Sequence, residues 1–118
     1  MQIEIQARHF SLTEALSSHI KRRLGSVLST SNDHIRRVLV RLSDINGPRG
    51  GEDKRCQIQV VLPHLADVVI EDTEEDMYAA IDRAADRAGQ TVARRLTRQR
   101  DRDRSSGQYE LSPLAEST

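Results

Sequence analysis

Eight arginines stand against three aspartates between Arg83 and Arg104, a local balance of +5. Their spacing carries more information than their number. Set on a helix at about 100° per residue, Arg83, Arg87, Arg94 and Arg98 fall on one flank within roughly 60°, with Asp82 and Asp86 on the opposite flank. A guanidinium is planar, stays charged at any physiological pH and offers paired parallel donors, which suits a phosphate. A second basic cluster, Lys21-Arg22-Arg23, lies upstream, and Lys21 to Arg41 holds six basic residues against Asp33 alone. Between these segments, Ala66 to Asp82 has seven acidic residues and no Lys or Arg. The formal net charge is zero, but that sum conceals a segregation that points to an anionic partner. The plainer reading of the stripe is a solvated helix face held by i, i+4 salt bridges. On the wheel, Asp82 and Asp86 are not spaced to neutralise it.

Other chemistry is hard to assemble from these residues. His9, His19, His34 and His64 are scattered, with no HExxH and no G-x-S-x-G. Cys56 is the single cysteine and reads as a strand core residue, not a disulfide or zinc ligand. Gly47-Pro48-Arg49-Gly50-Gly51 lacks the Gly-Lys-Ser/Thr ending of a phosphate loop and reads as a hairpin connection. The acidic run Glu71 to Asp76 is accounted for by its fit to a helix N-terminus. Neither an enzyme nor a cofactor or metal site is expected. Aromatic residues make up only 3% of the chain, so phosphate and shape recognition are favoured over stacking on unpaired bases.

The elements that position the arginines follow from periodicity. Met1 to Arg8 alternates, with Ile3, Ile5 and Ala7 on one side, as a half-buried strand does. Ser11 and Glu14 have the spacing of a capping box, and Leu12, Leu16, Ile20, Leu24 and Val27 then recur at helical intervals, ending near Leu28. Ser29 to Asp33 is loop chemistry. Three alternating segments follow, Ile35 to Ser43, Lys54 to Leu62 and Ala66 to Glu71, read as an antiparallel run with one wet face. They are joined by an Asn46 to Asp53 loop and a tight Pro63-His64 turn. Thr73 and Asp76 suggest a second capping box, and Met77, Ile81, Ala84, Ala85, Ala88, Val92 and Leu96 give a long second helix in which Gly89 marks close packing against the sheet. The fold class is therefore α+β, in the order β-α-β-β-β-α. Both helices cover one face of a four-stranded sheet and together line a basic groove, to which Arg22 and Arg23 add from the first helix. Length allows one compact domain over residues 1–100, followed by a polar tail, 101–118, whose composition is that of a disordered segment. No membrane span or signal peptide is legible, which places the protein in the cytoplasm.

Two segments resemble a known family. Arg8-His9-Phe10 followed by Leu12-Thr13-Glu14-Ala15-Leu16, with Ile20 and Arg23-Leu24 downstream, looks like the opening of the ribosome hibernation promoting factor and protein Y family. Asp76-Met77-Tyr78-Ala79-Ala80-Ile81-Asp82, leading into a basic helix, resembles its most recognisable segment. The resemblance spans Met1 to about Arg100. It implies a fold like that of double-stranded-RNA-binding domains and, as partner, the small ribosomal subunit and its rRNA. There such proteins occupy the channel for messenger RNA and tRNA between head and body and inhibit translation. By matching positions it implies RNA contacts at Arg23, Arg87 and Arg94. Arg8 sits beside the first motif, and Arg22, Arg83, Arg95 and Arg98 are added from the wheel and the local charge. The family commonly has bulky aliphatics and a further basic residue in mid-helix, where this chain has Ala84, Ala85, Ala88, Gly89 and Gln90. Long members append a dimerising domain for which 118 residues leave no room. Short members either assist ribosome pairing with a separate modulation factor or, with a C-terminal tail, hold ribosomes as inactive monomers. The tail here favours the second.

Two other readings stay open. A protein-interaction module modulating an alternative sigma factor would use the open sheet face or the acidic segment, and its binding would be insensitive to Arg87→Ala and Arg94→Ala. A general double-stranded-RNA binder would take any long duplex equally well. No small-molecule substrate is expected in any of them.

Overall fold

The computed structural model describes the backbone of residues 1–45 and 53–111, and the side chains of that set through residue 102. The elements are β1 (Gln2–Arg8), α1 (Glu14–Val27), a 3-10 turn (Ser29–His34), β2 (Arg37–Asp44), β3 (Lys54–Val61), β4 (Val68–Glu74) and α2 (Met77–Leu111). This is the expected β-α-β-β-β-α order. The sheet runs β1-β2-β3-β4, with β1 parallel to β2 and the other pairs antiparallel. A parallel pair cannot be closed by a hairpin, and α1 is the crossover it requires.

Alternation dictates which face is covered. Ile3, Val38, Val60 and Val68 lie in register across the sheet, as do Ile5, Val40, Ile58 and Ile70. Both rows pack into one core with Leu16, Ile20 and Leu24 of α1 and Ala80, Ile81, Ala84, Ala85, Ala88 and Val92 of α2. Full burial of each large aliphatic is worth about 1.5 to 3 kcal/mol, so these rows fix the register. Helix α2 lies over β3 and β4 and against α1. Cys56 is fully buried in this core. Burial first, and then the charge of Asp72, push its thiol up to about 12.

Several local expectations are corrected. Thr13, not Ser11, caps α1, its Oγ1 accepting from Leu16 N–H at 3.1 Å. Thr73 belongs to β4, paired with Arg55, so the strand runs to Glu74 rather than ending at Glu71. Asp76 alone caps α2, accepting from Tyr78 N–H at 3.4 Å. Ser29 to Asp33 is wound into the 3-10 turn instead of an open loop. A Cβ on Gly89 would lie 2.9 Å from Val27 O, so the close approach there is to the end of α1 and not to the sheet. The Pro63-His64 turn is present, with His64 at φ 69° and Leu65 N–H donating to Leu62 O at 3.3 Å. Of the Asn46 to Asp53 loop, residues 46–52 lie outside the described residues. Asp53 is buried and its carbonyl accepts from Ile45 N–H at 2.8 Å. The α2 backbone continues to Leu111, into the segment read as a polar tail, and residues 112–118 lie outside the described residues.

Candidate nucleic-acid interface

Helix α2 presents two charged flanks, and the structure gives each a different neighbour. Asp82 and Asp86 face α1. Arg23 of α1 reaches both, with Nε 3.1 Å from Asp82 Oδ1 and Nη2 2.5 Å from Asp86 Oδ1. His19 Nε2 shares Asp82 Oδ1 at 2.7 Å, and its ring meets Tyr78 edge-on with centroids 4.9 Å apart. This cluster fastens α1 to α2. The cleft between the helices is therefore closed by ion pairs at this level, and the expected basic groove does not lie there.

The arginine stripe runs along the other flank, beside β4. The alternation that turns Val68 and Ile70 toward the helices continues into Asp72 and Glu74, so the strand delivers two carboxylates to the first turns of α2. Arg83 Nε lies 3.4 Å from Glu74 Oε2 and 3.9 Å from Asp72 Oδ1. Arg87 Nη1 donates to Asp72 Oδ2 at 2.9 Å and to the Glu71 carbonyl at 3.0 Å. Arg95 Nη1 donates to the carbonyls of Ala66 at 2.9 Å and Asp67 at 3.3 Å. Arg87 thus bonds to a carbonyl of the edge strand itself, and Arg95 to the two carbonyls just before it.

The remaining arginines are differently placed. Among the described residues Arg94 has one hydrogen-bond partner, the Thr91 hydroxyl at 3.4 Å, and both Arg94 and Arg98 are exposed. Arg98 and Arg22 have no hydrogen-bond or ion-pair partner among the described residues. Arg8 lies on the opposite side of the sheet, since Ile3, Ile5 and Ala7 of its strand face the helices and Arg8 does not. The structure thus sorts the eight sequence candidates. Arg22, Arg94 and Arg98 are open to an anion, Arg83, Arg87 and Arg23 carry carboxylate counterions, Arg95 is hydrogen-bonded to backbone carbonyls, and Arg8 stands apart.

The counterions on β4 are not legible in the sequence, because Thr73 and Asp76 have the spacing of a helix start and mask the continuation of the strand's alternation. Sequence reasoning also leaves out Arg100 and Arg102, which are exposed and extend the free cationic end of α2. The i, i+4 spacing from Arg94 through Arg98 to Arg102 is the signal that would have found the latter. Among the described residues, no group of three or more His, Cys, Asp or Glu could hold a metal ion. Nor is any helix long and apolar enough to cross a membrane.

A fold of this order with a cationic outer helix can be compared with known proteins. The family model for Sigma 54 modulation protein / S30EA ribosomal protein matches residues 3–100. The chain belongs to this family, that of the hibernation promoting factors and protein Y. The S30EA family is one of ribosome-associated factors rather than enzymes. The crystal structure of Thermus thermophilus Protein Y N-terminal domain is 30% identical with a TM-score of 0.66, covering 80% of this chain and 98% of that one. A ribosomal subunit interface protein from Coxiella burnetii superposes with a TM-score of 0.71 over 82% of this chain and 99% of its own. At 18% identity it speaks to the fold alone. A search of curated proteins returns no match. The S30EA match takes in every sequence candidate from Arg8 to Arg98.

Proposed function

We propose that this protein is a ribosome hibernation factor that binds the small ribosomal subunit in the messenger RNA and tRNA channel and inhibits translation. Contact is made through arginines on the outer faces of the helices. The observation that carries this reading is the row of partner-poor guanidiniums at Arg94 and Arg98, inside the span matched by the S30EA family. Arg83 and Arg87 are themselves more than half exposed, and each can turn its remaining guanidinium donors to a phosphate while keeping its contact with the largely buried Asp72 or Glu74, so they extend the row when RNA is bound. Occupying the channel excludes the ligands of translation, so no catalysis is required. The protein works in the cytoplasm.

The test is cell-free translation with added protein. Wild-type chain is expected to inhibit, and Arg22→Glu, Arg94→Glu and Arg98→Glu combined is expected to relieve inhibition while leaving the melting temperature unchanged. Equal inhibition by wild type and variant would remove the helix face from the reading. Sigma 54 modulation, which the family description also names, requires binding that ignores these substitutions.

A further inference from the structure

The sheet face opposite the helices carries a second cationic surface. The register sets its residues in two adjacent rows, Gln6, Arg41, Gln57 and Glu71 in one, Arg8, Ser43, Arg55 and Thr73 in the next. All of these but Thr73, together with Ala7 and Leu42, line an open concavity of about 610 Å³. Arg8 and Arg55 stand on the strands either side of Ser43, and Arg41 lies two residues before Ser43 on its own strand. At about 4.8 Å between strands, the backbones of Arg8 and Arg55 are roughly 10 Å apart. Among the described residues, Glu71 is the one acidic residue lining the concavity, and its Oε2 is 3.4 Å from Arg55 Nε. Arg41 Nη1 donates only to Gln57 Oε1, at 3.3 Å. Arg8 is exposed and has no partner among the described residues. Two guanidiniums are thus left without a counter-charge beside amide and hydroxyl donors.

We propose that this concavity is a second phosphate site, taking a stretch of RNA backbone, so that the domain holds RNA on both sides of its sheet. Charge selects an anion. Among the described residues no aromatic ring lines it and Ala7 and Leu42 are its apolar members, whereas a small-molecule site would be predominantly apolar and enclose most of its ligand. Cations drawn from three neighbouring strands can each meet a different phosphate along a strand of RNA. The inference rests on the ribosomal reading for the identity of the RNA, but not for the existence of the site.

The experiment uses Arg8→Gln, Arg41→Gln and Arg55→Gln combined, with Arg8→Gln alone as a control that breaks no internal contact. In one arm, protein held on an immobilised RNA duplex is offered a second, fluorescent duplex. Wild type is expected to retain it. The triple variant should hold the first duplex and lose the second about tenfold, with Arg8→Gln intermediate. In the other arm, affinity for purified small subunits is measured against salt, and the triple variant should lower the slope of log K on log salt by about 2. Unchanged co-capture and slope in both variants would overturn the proposal while leaving the hibernation reading intact. Loss of subunit binding only in the sheet variant, and not in Arg94→Glu with Arg98→Glu, would instead remove the helix reading and keep this site. Uptake of inorganic tripolyphosphate by the wild type, lost in the triple variant, with no second duplex held, would overturn RNA as the occupant.

Discussion

At the scale of single residues, what an arginine can do depends on what already holds it. Arg23 and Arg94 both match family positions read as RNA contacts, yet Arg23 is spent on Asp82 and Asp86 while Arg94 touches one hydroxyl. Arg23→Ala is therefore expected to lower folding stability by about 1 kcal/mol, discounted for partial exposure, with a small effect on the salt dependence of binding. Arg94→Ala with Arg98→Ala should leave stability unchanged and reduce the salt slope by about 2, one unit for each phosphate contact removed. Denaturant melts and salt titrations of the two variants separate these roles. Cys56 offers a pH test of the core. Its pKa is raised to about 12 in the fold, so the native state keeps the proton that the unfolded chain releases, and stability should decline as pH rises from about 9 toward about 12. Cys56→Ala should flatten that decline. At neutral pH the folded thiol should resist alkylation until denaturant is added.

At the scale of elements, the chain's alternations and helical repeats were sufficient to order six main elements and to say which sides of the strands are buried. Inward rows such as Ile5, Val40, Ile58 and Ile70 leave little choice of register. End points were less legible, because Ser11 and Thr13 are equally good caps by residue type, and only the backbone's path decides which hydroxyl meets Leu16 N–H. The same ambiguity hid the link between β4 and α2. Asp72 and Glu74 can be read as a helix-start signal or as the inward face of a strand, and only the second brings them to Arg83 and Arg87. Asp72→Asn with Glu74→Gln should free those two arginines and tighten small-subunit binding severalfold at low salt. Equal affinity for the variant would mean that the two arginines take no part in binding. Gly89 tests the other contact of α2. Alanine there gains about 1 kcal/mol of helix propensity, yet its Cβ would sit 2.9 Å from the Val27 carbonyl. Helix backbone cannot yield as a flexible side chain would, so an overpacking cost of about 1 to 3 kcal/mol is expected to outweigh that gain and leave Gly89→Ala net destabilising by up to about 2 kcal/mol, read by thermal melting.

At the scale of the whole molecule, zero net charge is compatible with a polyanionic partner because the charges are partitioned in space. Acidic residues of β4 and of the inner flank of α2 hold the fold's own arginines, and the free cations collect on the outer, C-terminal part of α2 and on the open sheet face. The family was legible from two short segments, Arg8 to Leu16 and Asp76 to Asp82, that mark the end of β1 with the start of α1 and the start of α2. Which arginines remain free was not, since that depends on pairings between residues distant in sequence, such as Arg23 with Asp86. The most direct measurement is sucrose-gradient sedimentation of purified ribosomes and small subunits with this protein, at about 50 mM and about 200 mM salt, probing each fraction. Co-migration with small subunits and whole ribosomes that fades at the higher salt, and disappears for Arg22→Glu, Arg94→Glu and Arg98→Glu combined, is the expected result. A protein that stays at the top of the gradient even at the lower salt would contradict ribosome binding by this chain.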